Sequence, residues 1–159
     1  MAVGGLRTKS VMIWDETTKT ALRTTWQQVA NTTGQHFTDN LFKLDNFDYD
    51  TFPACKAVVT VRELWGNEAA FEYLAQLQKA FYIEGVDITD FEKLLSMIDE
   101  DKQEAFMKFY QSEKAEVLMQ HDFSKARSMG ANAFPSVVRI DSDGHMVCKQ
   151  GYQRLDEII

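Results

Sequence analysis

The sequence predicts an α/β fold interrupted by a long helical block, and three observations carry that reading. The last thirty residues run from a helix end through Gly130 and Phe134-Pro135 into an apparent hairpin. The middle of the chain repeats apolar residues at helical spacing. The 159 residues, 45% hydrophobic and 12% aromatic, suit one compact unit with a sizeable core and no linker.

Taken in order, Leu22, Trp26, Val29 and Ala30 recur so as to share one face of a helix over Thr20 to Thr33, and Gly34 is its expected stop. Pro53 suits the first turn of the next helix, where a missing N–H is harmless, with Thr51 as its expected cap. Ala54, Ala57, Val58, Val61 and Leu64 give that helix an inner side, and Gly66-Asn67 should break it. Ala70, Leu74, Leu77 and Phe81 form the next stripe, ending near Gly85. Thr89 and Glu92 are spaced as a capping box ahead of inward-facing Phe91, Leu94, Leu95 and Ile98. Asp101 to Met119 continues with Phe106, Phe109 and Tyr110 on one side; its Glu113 to Glu116 stretch is either a solvated face or a break. Asp122 to Met129 reads as helix, with Gly130 as a left-handed stop.

Pro135 must then be an exception to a ladder, because proline has no N–H to give and is confined to first residues, edges and bulges. Behind it Val137, Val138 and Ile140 form a β-branched run, Asp143-Gly144 suits a tight turn, and His145 to Lys149 reads as the returning strand. Gly151 ends the hairpin. Tyr152 to Ile159 has the makings of a last helix, although Leu155 to Ile159 is too brief to stand without tertiary support.

This order of elements resembles the C-terminal half of a thioredoxin-like domain, and the likeness extends further. Met1-Ala-Val-Gly-Gly-Leu-Arg7, Trp26 to Phe37, Asp48 to Val59 (Asp-Tyr-Asp-Thr-Phe-Pro-Ala-Cys-Lys-Ala-Val-Val) and Gln78 to Thr89 are similar to the protein-disulfide isomerases of the DsbA-like family, in the same order. The resemblance implies a thioredoxin-like fold with an inserted helical subdomain: one domain over 1–159, its insertion at 15–129 and its thioredoxin-like part at 1–10 and 130–159. It also implies thiol–disulfide oxidoreductase or isomerase chemistry, in which Phe134 and a cis Pro135 present main-chain groups to an extended peptide. Protein or peptide thiols and disulfides are the implied substrates, with glutathione as an alternative partner.

One departure bears on the chemistry. The family places a Cys-X-X-Cys at the start of its first helix, whereas the two cysteines here, Cys55 and Cys148, lie 93 positions apart. Met1 to Arg7 resembles the end of the second family strand, so the N-terminal βα portion is expected to be absent from this chain, together with any catalytic residue. A late start is the favoured explanation. Two other readings stay open: a non-catalytic thioredoxin-like peptide-binding module, and a glutathione-dependent isomerase like the kappa class, with a Ser or Cys at the lost position.

Cys55 lies near a helix N-terminus, where the helix dipole can favour a thiolate, so it is a candidate redox or metal-binding thiol. Its neighbours Ala54, Ala57 and Val58 make a buried structural thiol the stronger reading. Cys148 reads as structural, and a Cys55–Cys148 disulfide is left open, though it would be unusual in a reducing compartment. His36, His121 and His145 lack ligand spacing, and Asp45, Asp48 and Asp50 lack the glycine and terminal glutamate of a calcium loop. No metal site and no cofactor are expected. Trp14, Trp26, Trp65, Phe71, Phe81, Phe106, Phe109 and Tyr110 are mostly core by this reading, some of them facing a pocket between helical block and sheet.

A formal charge of −7 without a Lys/Arg cluster argues against nucleic acid. No apolar run approaches the roughly 20 residues that span a bilayer, and no secretory leader is visible. A cytoplasmic location is expected, and an oligomer is open.

Overall fold

A computed structural model describes residues 13–158. The expected strand end at Met1 to Arg7, and the thioredoxin-like part placed at 1–10, lie outside the described residues.

Helix α1 (Glu16–Thr33) starts where the Asp15 carboxylate accepts the Thr18 N–H at 2.8 Å, and it stops where left-handed Gly34 (φ 74°) donates to Ala30 O. Its buried seam is narrower than the periodicity predicts. Trp26 is buried, but Val29 is 40% exposed, because at 3.6 residues per turn it sits about 60° round the helix from Trp26.

Helix α2 (Phe52–Lys79) is broken where expected: Gly66, at φ 91° and ψ 179°, is not helical, and two helical arms meet there at a kink. Its start differs from expectation. Thr51 makes no side-chain cap bond, and the Asp50 carboxylate accepts the Phe52 N–H at 2.8 Å instead. The first arm buries five successive residues, Ala57 to Val61, rather than a single stripe. Neighbours on several sides account for this, since α2 packs against α3 (Phe91–Ser96), α4 (Gln103–Tyr110) and α5 (Glu113–Ser128). Thr60, fully buried there, satisfies its hydroxyl on Lys56 O at 2.9 Å.

After α2 a wider turn over Ala80–Glu84 ends at Gly85, φ 73°. A Cβ at Gly85 would lie 2.5 Å from the Asn40 carbonyl carbon and 2.6 Å from Leu41 N, so glycine is what lets this turn close on the 38–41 segment. Thr38 Oγ1 and Asn40 Nδ2 both donate to Ile83 O, at 2.6 and 2.8 Å.

Helix α3 is capped by Asp90, which accepts the Glu92 N–H at 2.9 Å; the Thr89 hydroxyl donates to Asp87 instead of capping, which corrects the expected capping box. The break falls at Gln111–Ser112, just ahead of the charged stretch, and Glu113 to Glu116 is the first turn of α5, with Glu113, Lys114 and Glu116 exposed. Helix α4 stops at Tyr110 and Ser112 opens α5, its hydroxyl accepting from Ala115 N. Helix α5 then runs without interruption to Ser128 and the left-handed Gly130.

Strands β1 (Ser136–Ile140) and β2 (Met146–Gln150) pair antiparallel, with Ser136 opposite Gln150 and Val138 opposite Cys148. The returning strand begins one residue later than expected because His145 belongs to the turn, where its N–H and that of Asp143 both donate to Asp141 Oδ1. A single helical turn, α6 (Leu155–Ile158), lies beside one hairpin face, where Lys149 Nζ donates to Glu157 O.

Most of the core lies within the helices. One cluster gathers Ala57, Val61, Tyr73, Leu77, Leu94 and Phe106; a second, aromatic one joins Trp26, Leu41, Phe42, Phe47 and Phe81; a third sets Val59 against Met119 and Phe123. Full burial of a residue such as Phe106 or Leu94 contributes about 1.5–3 kcal/mol. The α2–α5 seam is closed by a buried ion pair between Arg62 and Asp122.

Candidate functional site

The first candidate is the loop between α5 and β1. Ala131 N donates to Ala126 O at 3.0 Å, which folds the chain back over the end of α5. The Gln150 amide reaches Gly130 O at 2.8 Å, and a Cβ at Gly130 would lie 3.7 Å from Cys148 Cβ, so β2 rests directly on that helix end. Phe134–Pro135 is a cis peptide bond. It is framed by the Ser136 hydroxyl donating to Ala133 O and by Gly151 N donating to Pro135 O at 2.8 Å. Phe134 is 50% exposed, and with it the main chain entering β1 lies at the surface. An extended chain laid there would have backbone to pair with.

The second candidate is a cavity of about 260 Å³ at the N-terminus of α2, open to solvent on one side. Phe47, Tyr49, Leu77, Phe81, Tyr82 and Ile88 supply apolar walls, while Asp50, Thr51 and Cys55 bring polar atoms from the start of the helix. Burial pushes the Tyr82 phenol up to about 12, with Tyr49 adding to the shift. Tyr110, behind the same helix start, is pushed up to about 12 by burial, with the Asp50 carboxylate adding.

The two cysteines do not form a disulfide. Cys55 is half-buried, packed on the Val59, Met119 and Phe123 cluster and lining the cavity; Cys148 belongs to β2. The structure thus does not bring Cys55 together with Phe134 and Pro135 as one described cavity.

Of Trp14, Trp26, Trp65, Phe71, Phe81, Phe106, Phe109 and Tyr110, Phe81 lines this cavity within the helices. Trp26 borders a separate, more polar groove of about 520 Å³ with Arg23, Gln27 and His36. Trp65 is a partly buried flank of the first core cluster, and Phe71 is 60% exposed. Phe47 and Tyr49 were missed because Asp45 to Asp50 reads as a polar lead-in; the signal was two aromatics at alternate positions, Phe47 buried and Asp48 beside it exposed.

Among the described residues one group has metal-ligating composition, Asp141, Asp143 and His145. All three are exposed, and the Asp141 carboxylate is already engaged in shaping the turn. Among the described residues no helix is long and apolar enough to cross a membrane.

Comparison with known proteins places this geometry. The thioredoxin family matches residues 17–158. None of the curated proteins matches. Among solved structures, the chain is similar to a candidate protein disulfide isomerase from Nitrosomonas europaea, with a TM-score of 0.78 and 27% identity over 91% of this chain and 71% of that one. It is also similar to the cytosolic disulfide reductase DsbM from Pseudomonas aeruginosa, with a TM-score of 0.68 and 26% identity over 83% of this chain and 67% of that one. The same reductase solved with glutathione gives 0.65 and 25% over 82% and 67%. With a family match across most of its length and a cis-proline loop joining helical body to hairpin, the chain belongs to the thioredoxin family and has a DsbA-like fold.

Proposed function

We propose that this chain serves thiol–disulfide exchange on protein or peptide substrates, with Phe134 and Pro135 as the place where substrate backbone docks. The observation that carries the reading is the half-exposed Phe134 in a loop held on both sides by hydrogen bonds. It is supported by similarity to a disulfide isomerase and a disulfide reductase. In such an exchange a cysteine thiolate attacks the substrate disulfide, forming a mixed disulfide and expelling the other substrate sulfur as thiolate. A second cysteine then attacks the mixed disulfide, which releases reduced substrate and leaves the enzyme pair oxidised. No Cys-X-X-Cys occurs in the 159 residues, so the chain's own part is to seat the substrate, not to supply the nucleophile. Under this reading residues 15–129 form the helical insertion. The DsbM likeness makes glutathione a thiol partner to test and a cytoplasmic location the one to examine.

The lack of that cysteine pair favours a second reading, a thioredoxin-like module that binds peptides without redox chemistry. A glutathione-dependent isomerase is the third. The reading frame ahead of Met1 separates them: a Cys-X-X-Cys selects the oxidoreductase, a lone Ser or Cys the glutathione enzyme, an in-frame stop the binding module. Docking itself is tested by titrating an extended peptide disulfide and following backbone amide shifts. The expected result is saturable movement at Phe134 and Ser136; shifts elsewhere with those two silent would remove this loop as the substrate seat.

A further inference from the structure

The cavity at the α2 N-terminus has a chemistry that the docking loop does not require. Its walls are aromatic and aliphatic, and among the described residues its lining contains Asp50 but no Lys, Arg or His. Asp48, exposed, stands two residues before Asp50. The Asp50 carboxylate is fixed in place because Oδ1 accepts the Phe52 N–H. The positive end of α2 offsets part of that charge, but a chain of formal charge −7 adds a background of the same sign as Asp50. Lys56, the nearby cation on α2, sits over the Tyr110 ring at 5.0 Å and is not part of the lining.

Size selects among occupants. At about 260 Å³ the cavity is below the roughly 300–1,000 Å³ of pockets that enclose whole drug-sized ligands. Its opening to solvent lets one aromatic side chain enter while the rest of a chain passes over the mouth. We infer that this cavity is a side-chain pocket for a peptide, taking an aromatic residue against the wall that the contacting rings of Phe47 and Phe81 form, with an adjacent Lys or Arg held at Asp50. Edge-to-face ring contacts already join Phe47 to Tyr49 and Phe81 to Tyr82, so an incoming ring extends an existing stack.

The test uses Cys55 as a reporter in the wall. In the full 159-residue chain carrying Cys148→Ser, the rate of Cys55 alkylation by iodoacetamide is measured against increasing Ac-Gly-Phe-Arg-Gly-amide, with Ac-Gly-Phe-Glu-Gly-amide and phenethylamine in parallel. Saturable protection by the basic peptide is expected, with weaker binding of the acidic one. Asp50→Asn, which keeps the acceptor for Phe52 N–H, should weaken the basic peptide about two- to fivefold, as an exposed ion pair does. Calorimetry on the unsubstituted chain gives the same comparison if Cys148→Ser fails to fold. No binding of the basic peptide overturns the proposal. So does equal binding of both peptides, or tighter binding of phenethylamine than of the peptide.

Discussion

Arg62 on α2 and Asp122 on α5 form a charge-assisted hydrogen bond inside the helical body, with the Asp122 side chain 7% and the Arg62 side chain 19% exposed. A guanidinium and a carboxylate taken out of water lose several kcal/mol of hydration each, which their mutual attraction offsets, and Glu63 Oε1 adds a second, partly exposed carboxylate 3.7 Å from the guanidinium. Arg62→Ala leaves the carboxylate buried without its cation and should cost about 3–5 kcal/mol. Replacing both, as in Arg62→Met with Asp122→Leu, should cost far less, since two apolar groups of similar volume need no partner. Urea denaturation of the two variants checks this; equal losses would mean that packing, not charge, closes the α2–α5 seam.

Gly34 and Gly85 share nearly the same backbone, φ 74° and 73°, yet alanine should affect them differently. At Gly34 a new Cβ meets nothing within 4 Å, so the penalty is that of the left-handed conformation, about 1–2 kcal/mol. At Gly85 it would also lie 2.5–2.7 Å from the Asn40 and Leu41 backbone, and neither segment can give without breaking the Thr38 and Asn40 bonds to Ile83. Gly85→Ala should therefore lower the midpoint of thermal unfolding by clearly more than Gly34→Ala.

Several elements were legible because local chemistry and tertiary packing agree. Gly34 and Gly130 end helices where the sequence places them, and Gly66 marks a real discontinuity. The second arm stays packed with the first because Ala70, Tyr73 and Leu77 beyond the break bury in the same core as Ala57 and Val61. Caps were less legible. Asp50 and Asp90 supply the side-chain acceptors expected of Thr51 and Thr89, since in each pair a neighbouring carboxylate offers the stronger acceptor. The cavity was hidden for a deeper reason: Phe47 and Tyr49 meet Phe81 only after the 38–41 segment docks on the Gly85 turn, a contact across some forty residues that no local period encodes. The Phe134–Pro135 loop was legible because proline before β-branched residues has few other places in a sheet.

Alkaline pH should destabilise the fold through its buried phenols. Tyr82 and Tyr110 are each raised from the ordinary value of 10 to about 12, chiefly by burial. The unfolded chain then loses these protons near pH 10 and the folded one near pH 12. The stability gained by keeping them neutral is complete below pH 10, declines as pH rises from 10 to 12, and is gone above that window. Tyr82→Phe with Tyr110→Phe should flatten the stability profile across that range in a series of urea melts, and an unchanged slope would assign the loss to other groups.

Tyr73 joins the second arm of α2 to α3 through its hydroxyl, which donates to Leu94 O at 2.9 Å from a 3% exposed position. Tyr73→Phe keeps the ring against Phe106 but leaves the carbonyl without that donor, and should cost about 1–3 kcal/mol. Leu94→Ala, at a fully buried position, should cost about 2–5 kcal/mol through lost contacts and the cavity it leaves. That ordering in denaturant midpoints tests whether packing or the hydrogen bond dominates at this junction.

Disulfide chemistry offers the sharpest functional prediction. Efficient turnover needs an accessible thiolate with a second thiol close enough to resolve the mixed disulfide. Here Cys55 is half-buried against Val59 and Phe123, while Cys148 lies in β2 beside Gly130. A resolving partner must come within disulfide geometry, Cα atoms about 4.4–6.8 Å apart, and these two thiols sit in different elements and are not bonded. The 159-residue chain on its own should therefore show no dithiol-dependent reduction of a protein disulfide above the uncatalysed rate, and Cys55→Ser should leave that baseline where it is. Robust turnover that disappears with Cys55→Ser would make Cys55 a redox centre and overturn its reading as a structural thiol.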